Sequence, residues 1–511
     1  MGYFTNNRLT RRADLDQGAT GGASSRPPAS SPAFPGVRRT LRLRHGHVQF
    51  LGRDIPTPVI LLALAEFLVL MGALYLAVTV WFPGTVREAA VAHGGLLSNA
   101  LAFAAVNMVA MLSMGLYRKG AREGLTGVFL RLAGALALGA AVLVVLFYLL
   151  PATTLDRGVM VLAFGFALGG LLATRLAGVR VLQRDAFKRR VLVLGAGRTA
   201  SLFNYLRRLA DREGFEVVGF VPGPGETPQI GPERLASPAG PLVDFAQERF
   251  VDDIVIALDD ARGGFSMDDL LACKMNGIEV LDASDFFERE CGVLKVDTLR
   301  PSKMIFSRGF RQSLYRGMVK RVLDIVTSAA LLLLAWPLML LAALGIAIES
   351  RGRGSVLFRQ LRIGQQGREF NLLKFRSMIM DAESDGVARW ASRDDPRITR
   401  FGAFMRKTRI DELPQLFNVL RGDMSFVGPR PERPVFVDQL AKRLPFYHLR
   451  HWVKPGVTGW AQINYPYGAS ERDALEKLQY DLYYVKNQGV ALDLLIIAQT
   501  VEVVLWGRGS R

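Results

Sequence analysis

The chain has 511 residues, half of them hydrophobic, and a positive mean hydropathy of +0.20. It is too long for one domain and too apolar to be a wholly soluble protein. The formal net charge of +18 could serve nucleic-acid binding, but no recognisable nucleic-acid motif accompanies it, and basic flanks around apolar segments favour anionic lipid and anionic substrate. Cys273 and Cys291 lie in no CxxC and beside no His, so neither a disulfide framework nor a zinc site is indicated.

The first segment, residues 1–37, is rich in Gly, Ser, Pro and Arg. Such a composition cannot bury a hydrophobic core and predicts a disordered basic tail. No apolar stretch follows its charges until past residue 55, so the sequence does not predict a signal peptide.

Four long apolar segments follow within residues 55–178, and each is roughly long enough to cross a bilayer as a helix. They are residues 59–82, 94–117, 128–150 and 158–174. Cations cluster before the first segment and after the second and fourth, which predicts that both ends of this membrane region are cytoplasmic. Glu66 and Arg131 lie in or near two of the spans, and we expect both to face the bundle or to snorkel.

Residues 189–290 have the pattern of a Rossmann-like α/β domain. A buried-type strand at 190–194 enters Gly195-Ala-Gly197, and further strands are predicted at 216–221 and 253–257. The dinucleotide fingerprint is incomplete, because Ala200 replaces the third glycine and no acidic residue ends the second strand. We expect a structural or regulatory module, with nucleotide sensing as the alternative.

The next apolar segment, 325–348, is flanked by cations on both sides. Pro337 lies at its middle, where it removes a backbone hydrogen bond and can break a helix. A spanning helix would place one cationic cluster outside the cell, so the pattern favours a re-entrant helical hairpin over residues 315–349. The alternative is a kinked fifth span.

The most informative stretch, 407–432, places the carboxylates Asp411 and Glu412 among cations. Pro414 is tolerated only in the first turn of a helix, so the dyad should lie at the amide-rich start of one, which suits phosphate and Mg²⁺. A carboxylate there can act as a nucleophile or hold a divalent metal. Four nearby cations can neutralise a diphosphate: Arg406, Lys407, Arg409 and Arg430.

An ordered series of motifs accompanies the dyad. These are Val356-Leu-Phe-Arg-Gln-Leu-Arg-Ile-Gly364, Lys374-Phe-Arg-Ser-Met378, Asp395-Pro-Arg-Ile-Thr-Arg-Phe-Gly402, Gly428-Pro-Arg-Pro431, Val453-Lys-Pro-Gly-Val-Thr-Gly-Trp-Ala-Gln462 and Lys477-Leu-Gln-Tyr-Asp-Leu-Tyr-Tyr484. Through them, residues 315–511 resemble the bacterial polyprenyl-phosphate sugar phosphotransferases, the monotopic phosphoglycosyl transferases. The chain has the layout of the long members. The implied architecture is a membrane α-helical bundle, a Rossmann-like domain, a re-entrant helix and a mixed, mainly α-helical catalytic domain at 350–511.

This resemblance implies transfer of a sugar 1-phosphate from a UDP-sugar to polyprenyl (undecaprenyl) phosphate, with release of UMP, as the priming step of exopolysaccharide or related glycan synthesis. It implies that Asp411 attacks the sugar-bearing phosphorus and that Glu412 binds or assists Mg²⁺. Both carboxylates are expected Mg²⁺ ligands, because oxygen donors without neighbouring His or Cys favour a hard cation. The expected phosphate contacts are Lys374, Arg376 and Arg406, and the residues expected to shape the uridine diphosphate pocket are Pro429, Arg430 and Pro431.

The implied location is the bacterial inner membrane, among membrane lipids, with the catalytic domain in the cytoplasm, where nucleotide sugars are found. A homo-oligomer is compatible with this arrangement. Residues 490–506 are apolar but interrupted by Asp493, Gln499 and Glu502, which favours an amphipathic helix on the membrane surface. His448 and His451, beside aromatic residues, are expected to pack rather than to act as bases.

Two other hypotheses compete. A membrane-bound NAD-dependent nucleotide-sugar dehydratase or epimerase would want an intact glycine fingerprint and usually a Tyr-x-x-x-Lys pair, and no tyrosine of this chain has Lys four positions later. A non-enzymatic scaffold for polysaccharide assembly would have no reason to keep the acidic dyad and its cations together. Nothing in the sequence identifies the sugar.

Overall fold

The computed structural model describes most of the chain after residue 46. The described residues are 47–50, 53–82, 95–117, 125–149, 156–182, 188–205, 214–260, 264–299, 301–307, 309–310, 313–380, 382, 395–465, 468 and 470–505. The tail predicted at 1–37 lies outside them.

An antiparallel pair, β1 (His47–Phe50) and β2 (Arg53–Pro56), precedes a bundle of four apolar helices. The helices are α1 (Thr57–Trp81), α2 (Leu96–Ser113), α3 (Leu125–Leu149) and α4 (Arg157–Leu182). Each is long and apolar enough to cross a membrane. Glu66 and Arg131 are both buried: Glu66 pairs with Arg175 of α4 at 2.6 Å, and Arg131 pairs with Glu502 at 2.8 Å.

A four-stranded parallel sheet with strand order β4-β3-β5-β6 follows. Its elements are β3 (Arg189–Leu194), α5 (Arg198–Ser201), β4 (Phe215–Val221), α6 (Leu242–Glu248), β5 (Asp253–Ile256), α7 (Met267–Met275), β6 (Glu279–Asp282) and α8 (Ala283–Cys291). Alternate residues of β3 face opposite cores, because side chains alternate along a strand: Val191 and Val193 belong to one hydrophobic cluster, Leu192 and Leu194 to the other. The sheet is therefore covered on both faces.

The glycine-rich turn after β3 is closed by the domain's own carboxylates. Asp259 accepts hydrogen bonds from the backbone N–H groups of Arg198 (2.8 Å) and Thr199 (2.7 Å). Glu226 accepts from the N–H of Ala196 at 2.7 Å. A Cβ on Gly197 would lie only 2.2 Å from Asp259 Oδ2, so glycine is needed there for close approach of a carboxylate. The turn's amides are the groups that would cradle a dinucleotide pyrophosphate in a complete fingerprint.

After α9 (Pro301–Phe306), the long helix α10 runs from Leu314 to Glu349 with Pro337 inside it. The structure contains one helix here rather than the two helices of the hairpin expected from the sequence. From Asp324 onward, one face of α10 is buried, at Asp324, Ser328, Ala335, Ala342 and Ile346. The other faces expose large apolar side chains, including Leu333, Leu334 and Trp336.

The C-terminal domain is mixed helix and sheet, with an antiparallel pair β7–β8 and a parallel pair β9–β10. Its elements are β7 (Leu357–Ile363), β8 (Glu369–Phe375), α11 (Arg400–Thr408), α12 (Gln415–Arg421), β9 (Ser425–Val427), α13 (Pro434–Arg443), β10 (Gly456–Thr458), α14 (Trp460–Asn464), α15 (Glu471–Asn487) and α16 (Val490–Leu505). Trp460 donates to the carbonyl of Gly292 at 2.8 Å, and Lys486 pairs with Glu288 at 2.6 Å. These contacts join the α/β domain to α14 and α15.

The surface position expected for α16 is wrong. Its polar residues Asp493 and Glu502 are buried, and each has an internal partner. Asp493 accepts hydrogen bonds from Lys320 and Tyr484, both at 2.8 Å, and Glu502 pairs with Arg131 of α3. The carboxylates that interrupt the apolar pattern therefore tie α16 to α10 and to the helical bundle instead of facing water.

Candidate active site

The acidic dyad lies in a short 3₁₀ turn between two helices. After α11, Arg409 adopts a left-handed conformation (φ 60°), and the turn Ile410–Glu412 follows. Pro414 then caps α12. The sequence predicted the dyad at a helix start, and the structure places it one turn before α12, outside the helix itself.

Asp411 lines a cavity of about 570 Å³ in the C-terminal domain. The cations that line it greatly outnumber the carboxylates, which suits a polyanionic ligand such as a diphosphate. The lining cations are Arg362, Lys374, Arg376, Arg397, Arg406, Arg409, Arg430, Arg433, Arg450 and Lys477. The lining carboxylates are Asp411, Glu432 and Asp481.

Glu412 is surrounded by cations. It is not one of the described residues that line the cavity. Its carboxylate lies 2.7 Å from Arg430, 3.6 Å from Lys374 and 3.7 Å from Arg409. Burial by itself would raise the pKa of Glu412, but these three cations hold the pKa below its ordinary value. Glu412 is therefore a permanent anion that gathers cations beside the cavity.

The adjacent Asp411 is in a different environment. It is only 6% exposed, and burial together with the neighbouring Glu412 raises its pKa to about 6, against the opposing influence of nearby cations. Burial also lowers the pKa of Lys374 to about 8, although Glu412 opposes this. Two adjacent carboxylates thus have pKa values shifted in opposite directions, as in sites where paired carboxylates take different roles.

Backbone contacts fix the loop that carries Arg430. The N–H of Gly456 donates to the carbonyl of Pro429 (2.9 Å), and Arg362 donates to the carbonyl of Pro431 (3.0 Å). Neither proline lines the cavity within the described residues. The two prolines therefore anchor the loop, and Arg430 between them contacts Glu412.

One end of the cavity lies next to α10. Arg376 donates to the carbonyl of Arg353, just beyond the end of α10, and Arg406 donates to Ser377 Oγ, both at 3.0 Å. Exposed apolar side chains line this end: Leu357, Phe358, Ile379 and Met380. We call these four residues the apolar mouth.

Another part of the cavity lining is polar, and the sequence predicted no role for its residues. Arg450 is buried, donates to the Tyr447 hydroxyl at 2.7 Å and pairs with Asp481 at 2.8 Å. Lys477 and Asp481 come from α15 and lie four residues apart, so they share a helix face. That spacing within the Lys477 motif was a signal that could have identified them.

Lys407, His448 and His451 lie outside the cavity lining. Lys407 is exposed and is not among the residues that line the cavity. His448 and His451 do not line it either. Burial lowers the pKa of His451 to about 3, which keeps its imidazole neutral.

Of the two expected Mg²⁺ ligands, Asp411 would be available to hold the ion and Glu412 would not. In the described part of the chain no group of three His, Cys, Asp or Glu residues could hold a metal. Glu412 is engaged by three cations, and Asp481 and Glu432 pair with Arg450 and Arg362. Asp411 is the dyad carboxylate that faces the cavity, and Mg²⁺ commonly binds one or two carboxylates together with substrate phosphates.

Comparison with known proteins identifies the class. A family model described as bacterial sugar transferase matches residues 315–507. The chain is 42% identical over 242 residues to a UDP-N-acetylgalactosamine-undecaprenyl-phosphate N-acetylgalactosaminephosphotransferase of Aeromonas hydrophila, covering 47% of this chain and 56% of that protein. It is 34% identical over 356 residues to an undecaprenyl-phosphate glucose phosphotransferase of Komagataeibacter xylinus, covering 68% of this chain and 65% of that protein.

The exopolysaccharide production protein PSS of Rhizobium leguminosarum bv. phaseoli is 42% identical over 193 residues, which cover 36% of this chain and 94% of that protein. The chain therefore belongs to the bacterial sugar transferase family, the polyprenyl-phosphate sugar phosphotransferases that its motifs resemble. It spans about half to two thirds of the length of the Aeromonas and Komagataeibacter proteins.

Proposed function

We propose that this protein transfers a sugar 1-phosphate from a UDP-sugar to polyprenyl phosphate and releases UMP. The observation that carries the proposal is the buried carboxylate of Asp411, which faces a cavity lined by cations and open to an apolar mouth beside α10. The names of the Aeromonas and Komagataeibacter relatives describe this class of reaction for undecaprenyl phosphate. Family membership and the site support the same chemistry.

In the first step, a carboxylate oxygen of Asp411 attacks the phosphorus that bears the sugar. The bond from that phosphorus to the bridging oxygen of UMP breaks, and UMP leaves with the electron pair. A phosphosugar is then bound to Asp411 as an acyl phosphate. Lys374, Arg406 and Arg430 neutralise the phosphate charge, which otherwise repels the attacking carboxylate.

In the second step, a phosphate oxygen of polyprenyl phosphate attacks the same phosphorus. The bond to Asp411 breaks, the carboxylate is regenerated, and the product is a polyprenyl diphosphate sugar. Glu412 keeps Arg430 and Lys374 in place throughout. Asp411 would hold Mg²⁺, which would supply further charge neutralisation when bound.

We propose in addition that α10 is re-entrant and that the active site is cytoplasmic at the inner membrane. Both ends of α10 contact the same domain: Arg321 donates to the carbonyls of Val419 (2.5 Å) and Leu420 (2.6 Å), and Glu349 accepts from the N–H of Phe401 (3.0 Å). A domain lies on one side of a membrane, whereas the ends of a spanning helix are separated by roughly 30 Å of hydrocarbon. The contacts at both ends therefore favour a helix that enters and leaves the bilayer on one side.

The test is an assay of the purified protein in detergent or nanodiscs with undecaprenyl phosphate, Mg²⁺ and a panel of UDP-sugars, following UMP release and the lipid product. We expect one or a few UDP-sugars to give both products. Brief incubation with UDP-sugar labelled in the β-phosphate, without lipid acceptor, should leave label on the protein at Asp411. Absence of UMP release with every UDP-sugar would overturn the proposed function. Turnover without label on Asp411 would overturn the covalent step.

A further inference from the structure

The polar part of the cavity lining suggests how the sugar is recognised. We call four of its residues the polar arm: Arg450, Gln462, Lys477 and Asp481. We propose that the polar arm binds the hydroxyl groups of the sugar ring of the nucleotide sugar, an inference that rests on the function proposed above.

Two buried polar atoms of the arm have no hydrogen-bond partner among the described residues, Nε of Arg450 and Oε1 of Gln462. Both residues line the cavity. One atom is a donor and the other an acceptor, and leaving such groups unpaired in a protein interior is costly. A hydroxyl can donate and accept at once, so sugar hydroxyls can satisfy both atoms.

The rest of the arm is held rigidly. Arg450 is only 6% exposed, donates to the carbonyl of Arg430 at 2.9 Å and pairs with Asp481 at 2.8 Å. The amide of Gln462 donates to the carbonyl of Val457 at 3.0 Å, and Lys477 donates to the carbonyl of Gly468 at 2.7 Å. These bonds orient the side chains before a ligand arrives, which lowers the entropic cost of binding.

The geometry of phosphoryl transfer separates the sugar from the other two substrates. In an in-line displacement, the attacking and leaving groups lie on opposite sides of phosphorus. UMP leaves opposite Asp411, and the lipid phosphate must later attack from that same side to displace Asp411. The two phosphates therefore use one subsite in turn, whereas the sugar is bonded to a third position on the phosphorus and extends in another direction.

The apolar mouth is the part of the cavity that suits the lipid. Its side chains lie beside α10, and Arg376 and Arg406 stand at this end of the cavity. A polyprenyl chain can contact the mouth while its phosphate reaches the arginines. The polar arm, which shares no residue with the mouth, then remains for the sugar.

Gln462→Leu tests the proposal, because leucine removes the unpaired acceptor at similar volume. Its matched control is Gln479→Leu, since Gln479 is also buried with an unpartnered Oε1 but does not line the cavity within the described residues. We expect the KM for the preferred UDP-sugar to rise roughly threefold to tenfold in Gln462→Leu, the loss of one hydrogen bond. The control should keep the wild-type KM.

Inhibition by UMP distinguishes sugar hydroxyls from the ribose or uracil of the nucleotide. If the arm binds the sugar, the inhibition constant of UMP stays at the wild-type value in Gln462→Leu. Parallel weakening of UMP and UDP-sugar would assign the arm to the nucleotide and overturn the proposal. An unchanged KM in Gln462→Leu would also overturn it, as would an equal effect in Gln479→Leu.

Deoxygenated substrates give a second measurement, because each protein's KM is compared between substrates and does not depend on the fraction of the protein that folds. Among UDP-hexoses each lacking one hydroxyl, one should show the same KM with wild type and with Gln462→Leu, because the contacted hydroxyl is already absent. Lys477→Met, with Lys486→Met on the same helix as its control, should repeat the selective rise in KM. If no deoxy analogue abolishes the difference, the polar arm does not contact the sugar. Wild-type protein that releases UMP from no UDP-sugar would instead refute the proposed function.

Discussion

Replacing Asp411 by Asn should abolish catalysis and stabilise the fold at the same time. An amide is a poor nucleophile and cannot form the acyl phosphate, so UMP release should fall by roughly a thousandfold or more. The stability effect has the opposite sign, because the folded protein keeps an ionised carboxylate in a site that disfavours it.

The magnitude follows from the shift in pKa. Burial and Glu412 raise the pKa of Asp411 from 3.8 to about 6, and a shift of about two pKa units corresponds to about 3 kcal/mol. Because the folded-state pKa is the higher one, this penalty is absent below about pH 4, grows as the pH rises to about 6, and is complete above it. The net shift already includes the attraction of the nearby cations, so asparagine, which resembles the neutral carboxylic acid, should remove up to about 3 kcal/mol.

The assay is thermal unfolding in nanodiscs from pH 4.5 to 8, with UMP release measured on the same preparations. For a domain of this size, each kcal/mol shifts Tm by roughly 2–4 °C, so Asp411→Asn should melt several degrees above wild type at pH 7.5 and close to it at the acid end. Asp438→Asn, at an exposed position in α13, is the control and should match wild type throughout. A variant that melts below wild type at pH 7.5 would refute the argument from burial, and one that retains UMP release would refute the nucleophile.

Four further predictions follow from the same structure. EDTA should abolish UMP release and Mg²⁺ or Mn²⁺ should restore it, and full activity in a chelated preparation would contradict a metal-assisted reaction. The purified protein should contain no stoichiometric NAD, and bound NAD would revive the dehydratase hypothesis. Gly197→Ala crowds the carboxylates of the glycine turn, and it should keep UMP release near the wild-type rate. Single cysteines can be introduced at Arg316 and at Ser355 in a protein that lacks the native cysteines. Both should resist a membrane-impermeant thiol reagent applied from the periplasm. Labelling at Ser355 would exclude the re-entrant helix. Activity should fall as the pH rises through about 8, because Lys374 then loses its proton and no longer neutralises phosphate, so a rate that stays constant to pH 10 would argue against that contact.

The sequence by itself determined the class of protein and its parts. Apolar length predicted the four helices of the bundle, because crossing a bilayer needs a long run of apolar residues wherever the rest of the chain lies. The motif series around Asp411 and Glu412 led to the family that comparison confirmed. The continuous apolar run at residues 191–194 predicted a buried strand, since a strand's pattern is local.

Only the tertiary structure decided the environment of each residue in the site. Asp411 and Glu412 are adjacent carboxylates of the same chemistry, and they differ because Glu412 contacts Arg430 and Lys374, which other parts of the chain supply. The sequence prediction for α16 failed for a similar reason, because Glu502 has its partner in α3, several hundred residues away. Burial and long-range pairing set the charge, orientation and accessibility of each group, and neither can be computed from local sequence because both depend on which distant segments pack together.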